Sequence, residues 1–215
     1  MAITRDAIVD AAVTILNRDG VERLSMRSLA QELSIKAASL YWHFANKEEL
    51  YGAIAESLCA PWPLLLTPDP RQRLVDIFTA FRAALLTVRD ATVITAESTP
   101  STPRRIAVIQ AIVQALEEMG VPLGHLLVVA NLLNNYVLSF VADETRVKRR
   151  TPEERAEIAA RLGFDGIPGD DFSFDGEFRY GLQVILAGLD AVGLDVEASG
   201  ARERGVSTIS PPLEW

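Results

Sequence analysis

The sequence predicts an all-α fold, and three observations predict it. Apolar residues recur three and four apart in segment after segment. No stretch alternates apolar and polar residues for long enough to make a strand. Prolines and glycines sit at segment ends, where helices tolerate or want them. With 215 residues, 49% of them hydrophobic and 23% charged, the chain can pack a core, so disorder throughout is excluded. The length fits one large domain, or a small domain joined to a larger one.

Taken in order, Thr4 caps a helix over Arg5 to Arg18, with Asp6 in the first turn, where the helix dipole favours negative charge. Ile8, Ala11, Ala12, Ile15 and Leu16 form its apolar stripe, and Gly20 ends it. Ser25 starts a short second helix that reaches Leu33. Ser34 and Ile35 leave a two-residue joint before a third, from Lys36 to Phe44. Asn46 and Glu49 form a capping box for a fourth, which runs to Cys59. Pro61, Pro63, Pro68 and Pro70 then mark a boundary. Beyond it Arg71–Arg89, Arg104–Met119, Leu123–Asp143, Pro152–Leu162 and Phe174–Val192 read as helices, with a short turn near Thr92–Glu97. Gly163–Asp171 reads as a loop, and the polar stretch Asp195–Trp215 as an irregular tail. The chain thus divides at 1–46, 47–194 and 195–215.

Composition narrows the chemistry. One cysteine, Cys59, excludes an intramolecular disulfide and a cysteine-rich zinc site, and His43 and His125 are too few for a histidine cage. No basic segment leads into an apolar stretch at the start, so no signal peptide is expected, and a reduced, cytoplasmic setting fits. The longest apolar run, Leu126 to Ala142, is interrupted by Asn131, Asn134, Asn135 and Ser139; it reads as a buried helix and not a membrane span. The 21 Lys and Arg against 29 Asp and Glu leave a net charge of −8, which excludes a wholesale nucleic-acid coat but not a local basic face.

Two short helices with a tight joint, preceded by a longer one, have the layout of a helix-turn-helix, whose second helix enters the DNA major groove by its N-terminal residues. Here that helix opens Lys36-Ala37-Ala38, small enough for close approach to bases. Ser39, Tyr41 and His43 can bond phosphates, Lys36 and Lys47 bracket the helix with charge, and Arg27 has the reach for a bidentate contact to guanine. The competing reading makes Tyr41, Trp42 and Phe44 core aromatics and Arg27 a solvated surface charge. Residues 1–60 hold six Lys/Arg against eight Asp/Glu, so binding must rely on a directed face and be salt-sensitive, with modest nonspecific affinity.

Leu24-Ser25-Met26-Arg27-Ser28-Leu29-Ala30-Gln31-Glu32-Leu33, then Ser39-Leu40-Tyr41-Trp42-His43-Phe44 and Asn46-Lys47, resemble the DNA-binding domain of TetR-family transcriptional repressors, in the tetracycline-repressor branch. Phe81 to Asp90, and Gly181-Leu182 through Gly188-Leu189, extend the likeness over residues 4 to 193. The resemblance implies a three-helix helix-turn-helix DNA-binding domain, joined by a linking helix to a larger helical ligand-binding and dimerisation domain. It implies a homodimer that holds a palindromic operator and releases it when a small effector binds. By matching position, Arg27 would read a base, Ser39, Tyr41 and His43 would hold the DNA backbone, and Lys47 would anchor a phosphate. Trp42 joins them, packed partly inward. Tetracycline repressors carry Gln-Pro where this chain has Ala37-Ala38, so the tet operator is not the expected target.

Phe178, Leu182, Ile185, Leu189 and Val192 repeat by four and three, the seam of a helix packed along a partner, with Gly181 and Gly188 one heptad apart. Periodicity alone leaves an intramolecular seam equally open; the resemblance assigns Phe178, Gly181, Leu182, Ile185, Gly188 and Leu189 to the dimer interface. Asn131, Asn134 and Asn135 either line a cavity or bond one another or a partner. The resemblance turns them, with Ile77, Phe81 and Ile112, toward an effector pocket. It also sets Thr95 where those repressors carry a magnesium-binding His, Ile77 and Ile112 at a pocket Asn and Gln, and Asp143 at a pocket Glu. One carboxylate without the imidazole makes a poor metal site, so no metal and no other cofactor is expected, and magnesium–tetracycline is not the expected effector. A more apolar ligand with some capacity to bond amides suits the set. His125 reads as a surface residue at a helix start. Among rival classes, an enzyme lacks a placed nucleophile–base pair, phosphate loop or zinc spacing. A carrier without DNA binding fits poorly with Arg27, Tyr41, His43 and Lys47, and an activator remains open.

Overall fold

The computed structural model describes residues 3–59, 67–163 and 173–203, with side chains to residue 191 in the last stretch. The helices are α1 (Arg5–Asp19), α2 (Met26–Glu32), α3 (Ala37–Tyr41), α4 (Lys47–Cys59), α5 (Pro70–Leu85), α6 (Ala91–Ala96), α7 (Pro103–Glu118), α8 (Leu126–Lys148), α9 (Pro152–Leu162) and α10 (Phe174–Glu203). Among the described residues there is no strand.

The N-terminal head, α1 to α3, is built by local signals. Thr4 accepts from the Ala7 amide at 3.2 Å, and Ser25 and Ser28 cap α2 reciprocally. The joint to α3 is a Schellman turn: the Ser34 amide donates to the Gln31 carbonyl and the Ile35 amide to that of Ala30, with Ser34 left-handed at φ 54. The third helix is shorter than its sequence suggested, ending at Tyr41 and not Phe44. Phe44 is fully buried under the Arg5 guanidinium, 4.1 Å from its ring centroid, and burying it turns the chain inward after Trp42 and His43. Asn46 accepts from the Glu49 amide at 2.8 Å as expected, and the Glu49 carboxylate reaches back to the Ala45 amide at 2.8 Å.

Helix α4 belongs to two cores. Leu50 and Ile54 are fully buried with Ile8, Leu16, Leu29, Leu40 and Phe44 of the head, while Leu58 and Cys59 face the body. The head is also tied at the end of α1, where the Arg89 amide donates to Asn17 Oδ1 at 2.8 Å and the Val21 amide to Asp90 Oδ2 at 2.9 Å. Gly20, at φ 87 and pressed against Arg89 and Asp90, is what lets the chain turn there.

In the body, α5, α7 and α8 pack around Leu74, Phe78, Ala115, Leu116, Leu133 and Val137. Asp69 caps α5 and Pro70 opens it; residues 60–66 of the proline-rich boundary lie outside the described residues, as do residues 164–172 of the Gly/Asp-rich loop. The segment expected as a turn near Thr92–Glu97 is the short helix α6, which buries Ala91 and Ile94. Its six residues span less than two turns, too short to declare a period. Helix α8 runs on to Lys148, and it is not buried all round. Val129, Leu133, Val137 and Val141 point inward, while Leu127, Val128 and Leu132 are 71%, 67% and 51% exposed.

The last helix is longer than expected. It continues past Val192 to Glu203, so residues 195–203 of the expected tail are helical; Ala, Glu, Val and Arg there propagate a helix, and no proline intervenes before Pro211. Residues 204–215 lie outside the described residues. The Phe178–Leu182 seam faces inward, with Phe178, Leu182 and Leu186 buried within the protomer and Ile185 and Leu189 half-buried against the core. Phe178 stacks on Tyr136 at 5.5 Å, and Tyr136 Oη donates to the Phe178 carbonyl at 2.9 Å. Gly181 is small for the same partner, because a Cβ there would run into the Tyr136 hydroxyl. Phe178 and Leu182 are thus already covered within the protomer, and Gly181, half-buried, makes room for Tyr136. The outward face carries Tyr180, Val184 and Gly188 instead, the first two 66% and 53% exposed.

Candidate nucleic-acid interface and ligand cavity

The tip of the head gathers most of the residues singled out in the sequence. Arg27, in the first turn of α2, is exposed, as are Lys36 and Ala37 at the start of α3 and Lys47 at the start of α4. Ser39 and His43 are half-buried, and the His43 carbonyl accepts from Arg5. Tyr41 is 55% exposed and Trp42 89%, so neither is a core aromatic; only Phe44 of the three is. The expected inward packing of Trp42 does not occur. A bare indole at a tip of this kind is an unusual outlay of apolar surface.

Charge is distributed to match. Arg18 is neutralised by Glu32 at 2.8 Å and Asp19 at 2.9 Å, and Arg5 by Glu49 at 3.0 Å, all on the flanks. Arg27, Lys36 and Lys47 have no ion-pair partner among the described residues; the Lys47 ammonium stands 5.1 Å over the Tyr51 ring. The head's net negative charge thus conceals a tip with three uncommitted cations.

A cavity of about 420 Å³ lies in the body between α4, α5, α6, α7 and α8. Two clefts of about 670 and 860 Å³ are larger, but they are ringed by arginines and acids, at the head–body junction and on the head. The smaller space is the more enclosed and has the apolar walls a ligand site needs. Ile77, Phe81, Thr95, Ile112, Asn131, Asn134 and Asn135 all line it. Asn131 and Asn135 are exposed at its mouth, and the one bond among the three amides, Asn134 to Asn135, is at the 3.5 Å limit. His125 and Asp143 do not line it; Asp143 is paired with Arg146 at 2.7 Å.

Sequence reasoning missed four of the walls that matter. Ala55, Leu58 and Cys59 bring α4 itself to the cavity, and burial pushes the Cys59 thiol up to about 11, which keeps it neutral. The fourth is Arg105, 8% exposed, whose Nη1 donates to Ser98 Oγ at 3.0 Å and the Thr99 carbonyl at 3.1 Å, and whose Nη2 donates to the Ser98 carbonyl at 3.2 Å. The signal was available: Arg105 shares the stripe of α7 that carries Val108 and Ile112. Thr95 Oγ1 is buried without a partner. Among the described residues, no three His, Cys, Asp or Glu come together to hold a metal ion.

Two family models match the chain, one for the bacterial regulatory proteins of the tetR family over residues 8–54, the other for the tetracyclin repressor-like C-terminal domain over residues 63–163. The tetracycline repressor protein class A from transposon 1721 of Escherichia coli is 30% identical over 193 residues, 86% of this chain and 89% of that one. BioQ of Mycobacterium smegmatis is 29% identical with a TM-score of 0.69, the match covering 88% of this chain and 98% of BioQ, and BioQ is also solved with its natural double-stranded DNA operator. A variant of TetR from Acinetobacter baumannii, solved with minocycline, is 25% identical with a TM-score of 0.69 over 88% of this chain and 98% of that one. The chain belongs to the TetR family of bacterial transcriptional regulators.

Proposed function

We propose that this chain is a cytoplasmic, ligand-responsive repressor that holds a palindromic DNA operator as a homodimer and releases it when a small, largely apolar effector enters the cavity. One observation carries the reading: α4 walls the cavity with Ala55, Leu58 and Cys59 and, one turn earlier, carries Leu50 and Ile54 in the core of the reading head. An occupant that displaces α4 therefore moves α3. Half-sites on DNA have fixed spacing, so a small change in the separation of two heads weakens both contacts together.

In this reading Arg27 addresses a base edge, Ser39, Tyr41 and His43 hold backbone, and Lys36 and Lys47 neutralise phosphate. Ala37 and Trp42 meet the groove wall. Ile77, Phe81, Thr95, Ile112 and the three asparagines contact the effector. The homodimer forms on the exposed faces of α8 and α10, through Val128, Leu132, Tyr180, Val184 and Gly188, where two-fold symmetry would set the heads on a palindrome.

Selection of bound duplexes from a random pool by the purified protein tests this. A palindromic consensus whose binding weakens with salt supports it. Enrichment of no sequence at low salt, or an effector that binds tightly and leaves operator affinity unchanged, defeats it.

A further inference from the structure

Among the described residues, Arg105 is the only charged one lining the cavity, and none of their carboxylates stands within ion-pair distance of it. Its guanidinium is held by neutral oxygens alone, those of Ser98 and Thr99. The one acid close by, Glu56 of α4, is spent elsewhere: it accepts from the backbone amides of Arg104 at 2.8 Å and Arg105 at 3.1 Å, capping α7. A buried cation without a counterion is costly, and burial lowers the Arg105 pKa from its ordinary value, but not to where a guanidinium loses its proton. Across the same space Thr95 Oγ1 lacks a partner, and Phe78, Phe81, Ile77, Val108 and Ile112 supply flat and apolar walls.

From this arrangement, and resting on the reading of the cavity as the effector site, we infer that the effector is an organic acid: an aromatic or otherwise apolar body bearing a carboxylate or similar oxyanion that pairs with Arg105 and accepts from Thr95. A cationic ligand would meet like charge. A neutral one would bury the guanidinium further with nothing to offset it. An acid completes charge-assisted hydrogen bonds in a low-dielectric site, where they are strongest. The pairing also has a route outward. Arg105 holds Ser98 and the Thr99 carbonyl, while the Thr99 hydroxyl donates to Glu48 at the start of α4 at 2.8 Å. An acid that draws the guanidinium away therefore loosens Ser98 and Thr99 and, through the Thr99 hydroxyl, their tie to the start of α4 at Glu48.

The test uses two fluorescent dyes on one scaffold, anionic anilinonaphthalene sulfonate and neutral phenylnaphthylamine, titrated into the full-length protein. Replacing Arg105→Gln is expected to weaken the sulfonate by roughly tenfold or more while the neutral dye changes by less than about twofold, and Arg105→Lys is expected to retain most of the difference. In the unmodified protein, where no folding defect can intervene, naphthoate is expected to displace bound phenylnaphthylamine at roughly tenfold lower concentration than naphthamide. Equal losses for both dyes, or naphthamide displacing as well as naphthoate, overturn the acid and leave the cavity standing. Filling the cavity with Ile112→Trp is expected to exclude both dyes; if both still bind unchanged, the cavity is not the site and the inference falls with it.

Discussion

Arg82 of α5 and Glu144 of α8 meet fork to fork inside the body, Nε to Oε2 at 2.8 Å and Nη2 to Oε1 at 2.9 Å, with Glu144 1% exposed. The guanidinium also lies 5.2 Å from the Phe178 ring centroid and donates to Asp175 at 2.6 Å, so one side chain joins α5, α8 and α10. Truncating it strands a buried carboxylate that Lys148, half-exposed at the helix surface, only partly meets. Arg82→Met is expected to destabilise by about 3–5 kcal/mol, and adding Glu144→Leu to recover much of that, since the second change removes the stranded charge. Urea midpoints of the single and double variants decide it. A double variant as weak as the single one refutes the account.

Acid acts on this scaffold through carboxylates held below their usual range. The Ala45 amide and the Arg5 guanidinium hold Glu49 below the usual 4.5, and Arg82 holds Asp175 below the usual 3.8. In each case the unfolded chain binds the proton more tightly than the folded one. The stabilisation is therefore complete above the ordinary carboxylate value and drains away as pH falls through the lower folded value. Thermal midpoints are expected to be flat from neutrality to just above that value and to drop below it. Glu49→Gln is expected to shrink the drop for the head, and an unchanged acid limb in that variant would remove Glu49 from the account.

Much of this was legible in the chain, and the gaps have physical causes. Thr4, Asn46 and the helical stripes announced their helices because caps and periods are local. The joint between α2 and α3 hid its type, because the left-handed position that usually holds glycine holds Ser34. The four–three repeat on α10 marks a covered face, with Phe178 and Leu182 buried. Its partner was not readable, because a four–three repeat records that a face is covered and not by what; Tyr136, forty-two residues before Phe178, covers it. Arg105 is not legible as a buried group, because a basic residue at a helix start looks solvated and only the neighbouring helices bury it.

The tip of the head makes a separable prediction. Arg27→Ala is expected to cost about 1–3 kcal/mol of operator affinity and relax the preference at one base pair, whereas Lys47→Ala weakens all sequences alike and lowers the salt slope by about one. Trp42, 89% exposed, can be cut to Ala with stability held within about 0.5 kcal/mol, so any loss of operator binding belongs to the interface. Binding isotherms at two salt concentrations, beside thermal melts, separate these outcomes. A Trp42→Ala protein that melts early yet binds DNA normally would return that indole to a structural role.

The two faces of α10 make the last prediction, because they assign opposite consequences to residues two apart. Leu182 is fully buried against the protomer's own core, while Val184 of α10 and Leu132 of α8 are 53% and 51% exposed. Leu182→Ala is expected to lower the stability of the folded chain by about 2–5 kcal/mol through the cavity it leaves. Val184→Glu or Leu132→Glu is expected to spare the fold and break the dimer, because a carboxylate is well solvated on a free protomer and desolvated without a partner in a closed symmetric interface. Sedimentation read beside thermal melts distinguishes them: a Val184→Glu protein that still sediments as a dimer places the interface elsewhere. The operator arm follows from the same logic, since a monomer with an intact head retains its contacts to one half-site and loses the second, so its preference for a palindrome disappears before its preference for the half-site does.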